Sequence, residues 1–277
     1  MGLEVQEKEL VYVRVDPDNA QQIEDASLCE REGFGTGLDP QELPPVLRFV
    51  ARRGHIWLQY VVENGEHIPT GVMELIPLIK ALAYHPDEIN PEGYDLSISP
   101  LGTIIANQER VFADVRRFAA DRDIIYHHGI AMCRRGAGYG TLLMKHALEN
   151  TPEIKDRVIV CFPDAAQIDE KSGDLQLAPN EDSFSLHLKA GFVLVGVVDP
   201  PVYDDKLTYY SFIRPVKPIH FRRGRRAQRD VNLAEGNAES VITEVKQLVE
   251  KGFVGRDYYK KTHEIEFSGP ATLDRPD

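Results

Sequence analysis

The stretch Tyr126–Asn150 reads YHHGIAMCRRGAGYGTLLMKHALEN and decides the fold. The apolar run from Ile124 to Met132 predicts a strand. A 3.6-residue period of apolar positions behind it predicts an amphipathic helix. These positions are Tyr139, Leu142, Leu143, Ala147 and Leu148. The glycine-rich segment between strand and helix indicates a sharp turn or a close approach of the backbone to another group.

Phosphate binding is the chemistry that this arrangement suggests. A helix that begins in a glycine loop presents unpaired backbone N–H groups and the positive end of its dipole. A dinucleotide site would need Gly-x-Gly-x-x-Gly, followed after about twenty residues by an acidic residue. Here the spacing is Gly136-x-Gly138-x-Gly140, in the middle of the chain. We therefore predict a phosphorylated ligand but do not favour a Rossmann site.

Two motifs carry a family resemblance. Arg135-x-x-Gly138-x-Gly140 resembles the (Gln/Arg)-x-x-Gly-x-(Gly/Ala) pyrophosphate loop of the GNAT superfamily, the acyl-CoA-dependent N-acyltransferases. Asn180–Phe192 resembles that family's Asn-x-x-(Ala/Ser)-x-x-Leu-Tyr-x-x-x-Gly-Phe segment, with every spacing kept. The motifs occur in the family's order, and a predicted strand at 157–162 lies between them. Together they are far more specific than either motif alone.

The resemblance implies a fold and a co-substrate. The expected fold class is α+β in three layers, with a mixed, mostly antiparallel central sheet, a splayed strand pair and flanking helices. Acetyl-CoA would be the acyl donor, no metal would be needed, and the backbone N–H of Met132 would hold the thioester carbonyl. The residues with predicted CoA contacts are Met132, Arg134, Arg135, Gly136, Ala137, Gly138, Tyr139, Gly140, Thr141, Asn180 and Ser183.

The loop departs from the family pattern in length. Only Cys133 and Arg134 separate Met132 from Arg135, where the family commonly has four residues. A shorter loop brings fewer amides to a pyrophosphate, and a charge-assisted contact from Arg134 would compensate. Cys133 is not expected to be a nucleophile, because the family transfers the acyl group directly.

The base that deprotonates the acceptor amine is predicted to be His128. It occupies the position where some aryl-amine acetyltransferases of the family carry a histidine base. Side chains alternate along a strand, so His127 should point to the opposite face. His127 is then expected to pack against a flanking helix. A base that acts through water, with no essential side chain, is the alternative.

The acid that protonates the departing thiolate is predicted to be His187. It stands where many family members carry a tyrosine. An imidazole titrates close to working pH and can donate a proton. The alternative is a helix histidine that only packs near Phe192.

The composition of the chain limits the classes of function that we expect for it. The chain has 277 residues, with 32 basic and 44 acidic residues and a net charge of −12. This balance argues against nucleic-acid binding, which depends on phosphate neutralisation, and suits a cationic acceptor. Cys29, Cys133 and Cys161 show no paired or zinc spacing, so we expect reduced thiols in a cytoplasmic protein. No apolar run approaches the length of a membrane span, and the amino terminus is too charged for a signal peptide.

The remaining elements follow from pattern and turn signals. Strands are predicted at 10–15, 55–62, 70–76, 157–162, 192–198 and 206–213, with Asn64-Gly65 marking a hairpin. Helices are predicted at 19–31, 40–53, 101–120, 237–251 and over the second motif, with a helical turn at 78–85. Asp39 and Glu42 form a predicted capping box.

The predicted domain organisation is an acyltransferase domain at 1–215 with insertions at about 77–123 and 163–179. The second insertion is expected to be a loop. An extension at 216–277 carries one helix and five arginines between 222 and 229. We interpret this basic cluster as a solvated linker or as a docking site for an acidic partner or for CoA phosphates.

An N-acyltransferase is the leading function hypothesis. It would transfer an acetyl group from acetyl-CoA to a primary amine of a small molecule or peptide. A GNAT-like acyl-CoA decarboxylase and a non-catalytic acyl-CoA-binding module are the alternatives. The oligomeric state, including a homodimer, is left open.

Overall fold

A computed structural model describes residues 9–34, 41, 43–83, 100–169, 171–198, 207–216, 220–221, 227–269 and 271–272. The predicted capping box and four of the five clustered arginines lie outside these residues. Two units make up the chain: residues 1–94 with 127–152, and residues 95–126 with 153–277. The predicted domain boundary near 215 stays a prediction.

Fourteen strands are numbered along the described residues. They are β1 (Leu10–Arg14), β2 (His55–Glu63), β3 (Glu66–Pro77), β4 (Ile124–Ala131), β5 (Val158–Cys161), β6 (Asp164–Ile168), β7 (Leu175–Leu177), β8 (Val193–Val198), β9 (Leu207–Arg214), β10 (His220–Phe221), β11 (Ala227–Asn232), β12 (Val254–Tyr259), β13 (Glu264–Gly269) and β14 (Ala271–Thr272).

Eight α-helices are numbered in the same residues. They are α1 (Ala20–Phe34), α2 (Leu43–Arg53), α3 (Leu78–Leu82), α4 (Pro100–Ala106), α5 (Gln108–Val111), α6 (Tyr139–Asn150), α7 (Glu181–Lys189) and α8 (Ala238–Glu250). The strands and helices predicted outside the two insertions are confirmed, with ends that differ by a few residues.

The first unit is built on antiparallel strands. β1 pairs with β2, β2 pairs with β3, and β4 follows β3 in the strand order. The predicted hairpin is confirmed: Asn64 and Gly65 connect β2 to β3 with φ of 55° and 81°. Both α1 and α6 pack on β3. In α6 the predicted apolar face is confirmed at Tyr139, Leu143 and Ala147.

One position of the α6 prediction is wrong. Leu142 is 40% exposed, and Met144 is buried in its place. The physical reason is the direction in which each side chain leaves the helix. At about 100° per residue, Tyr139, Leu143, Ala147 and Met144 span an arc of about 140°, and Leu142 lies about 60° outside this arc.

The second unit contains a parallel pair within an antiparallel framework. Ile124–Tyr126 of β4 pair in parallel with Val158–Val160 of β5. The strand order continues through β9, β8, β12, β13 and β11, and each of these pairs is antiparallel. α7 packs on β12, and α8 packs on β8. The fold is therefore mixed α+β with a mostly antiparallel sheet and flanking helices, as predicted. The parallel ladder comprises three residue pairs, and the predicted splay of this strand pair stays a prediction.

Two expectations for the second unit are wrong. The predicted helix at 101–120 is broken into α4, α5 and a 3-10 turn at Val115–Arg117. Asn107 lies at the break, and its side-chain amide donates to the Thr103 carbonyl at 2.9 Å. The buried rings of Phe112 and Tyr126 meet edge to face at a centroid distance of 6.0 Å, so tertiary packing competes with helix continuity.

The predicted loop at 163–179 contains two strands. β6 pairs with β9 and with β7, because the backbone of a polar segment still satisfies its hydrogen bonds by joining a neighbouring strand. Strands β11 to β13 in the carboxyl-terminal region were not predicted either. β12 contacts β8 in this unit, at Gly255 opposite Leu194.

Among the residues that the structure describes, no helix combines the length and apolar character that a membrane crossing requires.

Candidate functional site

The glycine loop lies between β4 and α6 and is exposed from Arg135 to Gly138. Gly136, Ala137 and Gly138 all have left-handed φ, at 93°, 50° and 73°. A Cβ placed on either glycine would have no atom within 4 Å, so there is open space beside the loop. Glycine is therefore favoured at these two positions by the left-handed backbone conformation and not by crowding.

Helix α6 begins directly after this loop. Gly138 is the N-cap residue, and no side chain caps the helix by a hydrogen bond. The Leu142 N–H donates to the Gly138 carbonyl at 3.1 Å, which starts the helical ladder. Within the first turn, the Tyr139 N–H donates to the Gly136 carbonyl at 3.3 Å. The other first-turn amides, those of Gly140 and Thr141, together with the helix dipole have the arrangement of an anion site.

Arg134 has partners away from the loop. Its backbone N–H donates to the Thr70 carbonyl at 3.2 Å, and its Nη1 lies 3.0 Å from Glu63 Oε1. Both side chains are partly exposed, at 38% and 28%, and an ion pair of this kind contributes about 1 kcal/mol or less. The contact of Arg134 with a phosphate stays a prediction.

Met132, the predicted donor to the thioester carbonyl, follows β4 beside α1. A Cβ on Gly33 of α1 would lie 2.8 Å from the Met132 nitrogen. Glycine at 33 thus allows α1 to approach the end of β4 closely. The role of the Met132 amide stays a prediction.

His128 is held by a carboxylate that the sequence analysis did not identify. Its Nδ1 lies 2.6 Å from Oε2 of Glu74 on β3. The Glu74 side chain is 1% exposed and that of His128 is 14% exposed. An Nδ1–H that donates to Glu74 makes Nε2 the proton-accepting nitrogen of the neutral ring. The geometry suits a general base.

Glu30 of α1 completes this cluster, which we call the Glu30–Glu74–His128 network. Glu30 is 6% exposed and shares a side-chain hydrogen bond with Glu74. Burial, and next the charge of Glu74, raise the pKa of Glu30 well above its ordinary value. Glu30 is therefore the protonated partner and donates to the Glu74 carboxylate.

A sequence signal for Glu74 did exist. It is the one acidic residue in the apolar run Val72–Ile76, and carboxylates are rarely buried without a partner. Glu30 has no comparable signal, because α1 carries several acidic residues.

His127 has different surroundings from His128, as strand alternation predicts. Its ring is 2% exposed, and its Nε2 lies 3.0 Å from the Gly129 carbonyl. Of the two histidines, His128 is the one whose ring contacts the Glu74 carboxylate.

His187 is an interior residue of α7. It is 2% exposed, and burial lowers its pKa to about 4. Its Nδ1–H donates to the Ser183 carbonyl at 2.7 Å, and its ring meets Phe192 edge to face. A ring that is neutral at physiological pH lacks the additional proton of an imidazolium acid. The predicted role of His187 as acid stays a prediction, as does the alternative that the ring only packs near Phe192.

Asn180 and Ser183 organise the start of α7. The Asn180 side-chain oxygen accepts the Ser183 N–H at 3.1 Å, which is an N-cap bond. The predicted contacts of both residues with CoA stay predictions.

Comparison with known proteins finds solved structures of low sequence identity to this chain. No protein-family model and no curated protein matches the chain. An agmatine N-acetyltransferase is 11% identical, with 74% of this chain and 98% of that chain covered and a TM-score of 0.46. A GNAT-family acetyltransferase from Streptococcus pneumoniae is 17% identical, with 76% and 100% covered and a TM-score of 0.41. Diaminobutyrate acetyltransferase from Paenibacillus lautus, in complex with its substrate and coenzyme A, is 12% identical, with 76% and 98% covered and a TM-score of 0.39. All three TM-scores lie below 0.5.

Proposed function

We propose that this chain is a member of the GNAT superfamily that transfers an acetyl group from acetyl-CoA to a primary amine of a small molecule or peptide. The observation that carries the proposal is the uncapped amino terminus of α6 behind the exposed Arg135–Gly138 loop. This geometry stands at the position of the motif that resembles the pyrophosphate loop.

The loop would bind the CoA pyrophosphate through backbone amides. The left-handed glycines leave room for the phosphates, and the first turn of α6 supplies N–H groups and the dipole. Arg135 and Thr141 are exposed beside these amides and would add side-chain contacts.

His128 would be the base for the acceptor. Its Nε2 takes a proton from the incoming ammonium, and the free amine attacks the thioester carbonyl. The imidazolium that forms is stabilised by Glu74, and Glu30 holds the Glu74 carboxylate in place. Glu74 and Glu30 are positioning residues in this scheme.

Acyl transfer then follows a tetrahedral intermediate. The Met132 amide is proposed to hold its oxyanion, and collapse breaks the C–S bond and forms the amide. The leaving thiolate takes a proton from solvent or from an acid, and the neutral state of His187 makes solvent the simpler source.

Thermal denaturation with acetyl-CoA, free CoA, NAD or no ligand tests the binding step. A ligand at 100 times its Kd adds about 2.7 kcal/mol to the free energy of unfolding and raises Tm by several degrees. We expect a rise with both CoA species and none with NAD. Gly138→Asp should abolish the rise, because a carboxylate would repel the phosphates.

Gly173→Asp is the matched control. Gly173 has a φ of 75°, and a Cβ there also has no atom within 4 Å, so strain and added charge are the same as at Gly138. A CoA shift that survives in Gly138→Asp, or is lost equally in Gly173→Asp, would contradict the proposed loop.

An amine panel with agmatine, 2,4-diaminobutyrate and an aminoglycoside tests the chemistry through release of CoA thiol. His128→Ala should lower kcat/KM about 100- to 10,000-fold, the usual contribution of a general base. Release of CO2 from malonyl-CoA without an amine would establish a decarboxylase instead. CoA binding without thiol release across the panel would favour a binding module.

A further inference from the structure

Two cysteines meet in the first unit although they are far apart in sequence. Cys29 lies on α1 and is fully buried, whereas Cys133 follows β4 and is partly exposed. Their Sγ atoms are 3.0 Å apart, and both thiols are free. This distance is about 1 Å longer than a disulfide bond of about 2.05 Å. A small movement would therefore join them.

The surroundings make the two thiols unequal. A hydrogen bond from Cys29 is the largest effect that lowers the pKa of Cys133, and the charge of Arg134 acts in the same direction. The pKa of Cys29 is raised by its hydrogen bond to Cys133 and by burial. Thiolate character and access favour Cys133 as the sulfur that meets an oxidant. Cys29 is placed to react second.

We propose that Cys133 is an oxidation site for peroxides and that Cys29 is its resolving thiol. The Cys133 sulfur attacks the peroxide O–O bond, which forms a sulfenic acid and releases hydroxide or alkoxide. The Cys29 sulfur then attacks the Cys133 sulfur, its proton goes to the departing hydroxyl, and a disulfide and water form. With hydrogen peroxide, two thiols and one peroxide yield one disulfide and two waters, so no other oxidant is required.

The disulfide would change the contacts of Cys133, which lies directly before Arg134 and the glycine loop. In the reduced protein the Cys133 thiol donates to the Pro69 carbonyl at 3.1 Å. Oxidation removes this donor and ties the residue before Arg134 to α1. The modification itself does not depend on the proposed acyltransferase activity.

Cys161 provides an internal control. It is buried, and burial raises its pKa well above the ordinary value for a thiol. It should therefore stay reduced at peroxide concentrations that oxidise the pair.

Peptide mapping of the folded full-length chain tests the proposal. The protein is treated with hydrogen peroxide, denatured and alkylated. We expect two of the three cysteines to escape alkylation, a peptide that joins Cys29 to Cys133, and an alkylated Cys161. Alkylation of all three thiols, or oxidation of Cys161 to the same extent, would overturn the proposal.

Three variants separate the two chemical steps. In Cys29→Ser the sulfenic acid at Cys133 should persist and react with dimedone, whereas in Cys133→Ser Cys29 should stay reduced. Cys161→Ser should form the disulfide as the unmodified chain does. If Cys29→Ser does not fold, the mapping of the unmodified chain still decides between the outcomes. Absence of a dimedone adduct in folded Cys29→Ser would contradict Cys133 as the site of attack.

Discussion

At the residue scale, burial controls the protonation of His187. Its pKa falls from 6.5 to about 4 because the interior disfavours the charged ring. Between these pH values the unfolded chain binds a proton that the folded chain does not. The free energy of unfolding is therefore expected to fall by about 3 kcal/mol as pH falls through this window, and the contribution is fully present above pH 6.5.

Urea denaturation at several pH values measures the slope of the free energy of unfolding against pH. His187→Asn is the matched variant, because its side-chain N–H can donate to the Ser183 carbonyl and does not titrate. The variant should lose the part of the slope that belongs to His187. Equal slopes in the two proteins would show that the ring titrates normally in the folded state.

A second residue-scale prediction concerns Glu30. Its pKa is raised by burial and by the Glu74 charge, so folding takes up a proton there. The stability from this proton is present below the ordinary pKa of 4.5 and is lost as pH rises through the raised value. Glu30→Gln keeps a neutral donor to Glu74 at every pH. We expect the Tm of Glu30→Gln to exceed that of the unmodified chain by an amount that grows with pH. Each kcal/mol of difference in the free energy of unfolding should shift Tm by about 2–4 °C.

Glu24→Gln is the control for this comparison. Glu24 lies on the same helix with a side chain that is 65% exposed, so its neutralisation should change Tm little at any pH. A constant difference between Glu30→Gln and the unmodified chain across pH would show that Glu30 is charged in the folded protein.

At the element scale, the contact of α1 with the end of β4 depends on Gly33. Alanine would raise helix propensity by about 1 kcal/mol or less. Its Cβ, however, would lie 2.7 Å from the Ala131 Cβ and 2.8 Å from the Met132 nitrogen. Overpacking against backbone costs about 1–3 kcal/mol, so we expect Gly33→Ala to destabilise the protein. Chemical denaturation measures the change in the free energy of unfolding. Glu32→Ala is the control, because Glu32 is exposed and its replacement should change stability little. A Gly33→Ala variant that is more stable than the unmodified chain would contradict the close contact.

The helix caps give a second element-scale prediction. Asn180 and Asn237 accept the N–H of Ser183 and Ser240 at 3.1 and 3.0 Å. Alanine at either position should cost about 1 kcal/mol of stability. If Asn180 also binds CoA, the Tm shift with CoA should shrink in Asn180→Ala and stay unchanged in Asn237→Ala. Equal CoA shifts would restrict Asn180 to its capping role.

At the scale of the whole molecule, the carboxyl-terminal region is part of the second unit's core. β12 pairs with β8, and α8 buries Val241, Val245 and Leu248. A chain that ends at Pro215 would expose the edge of β8 and lose this apolar surface. We expect such a chain to aggregate or to lose cooperative unfolding, as measured by size-exclusion chromatography and circular dichroism. A soluble truncated chain with an unchanged Tm would support the predicted domain at 1–215.

The sequence by itself determined the local features of this protein. The strand, glycine loop and helix from Ile124 to Asn150 follow from periodicity and from the backbone freedom of glycine, and the Asn64-Gly65 hairpin follows from turn chemistry. These properties depend on neighbours within a few residues. Net charge and the two GNAT-like motifs are likewise properties of the printed chain.

Only the tertiary structure decided which distant groups meet. Glu30, Glu74 and His128 come from three separate elements, and Cys29 lies 104 residues before Cys133. Their hydrogen bonds and charge effects depend on distance and burial, which packing sets and local pattern does not encode. For the same reason His187 could be recognised as a candidate acid from its position, while its neutral state follows from its burial beside Phe192.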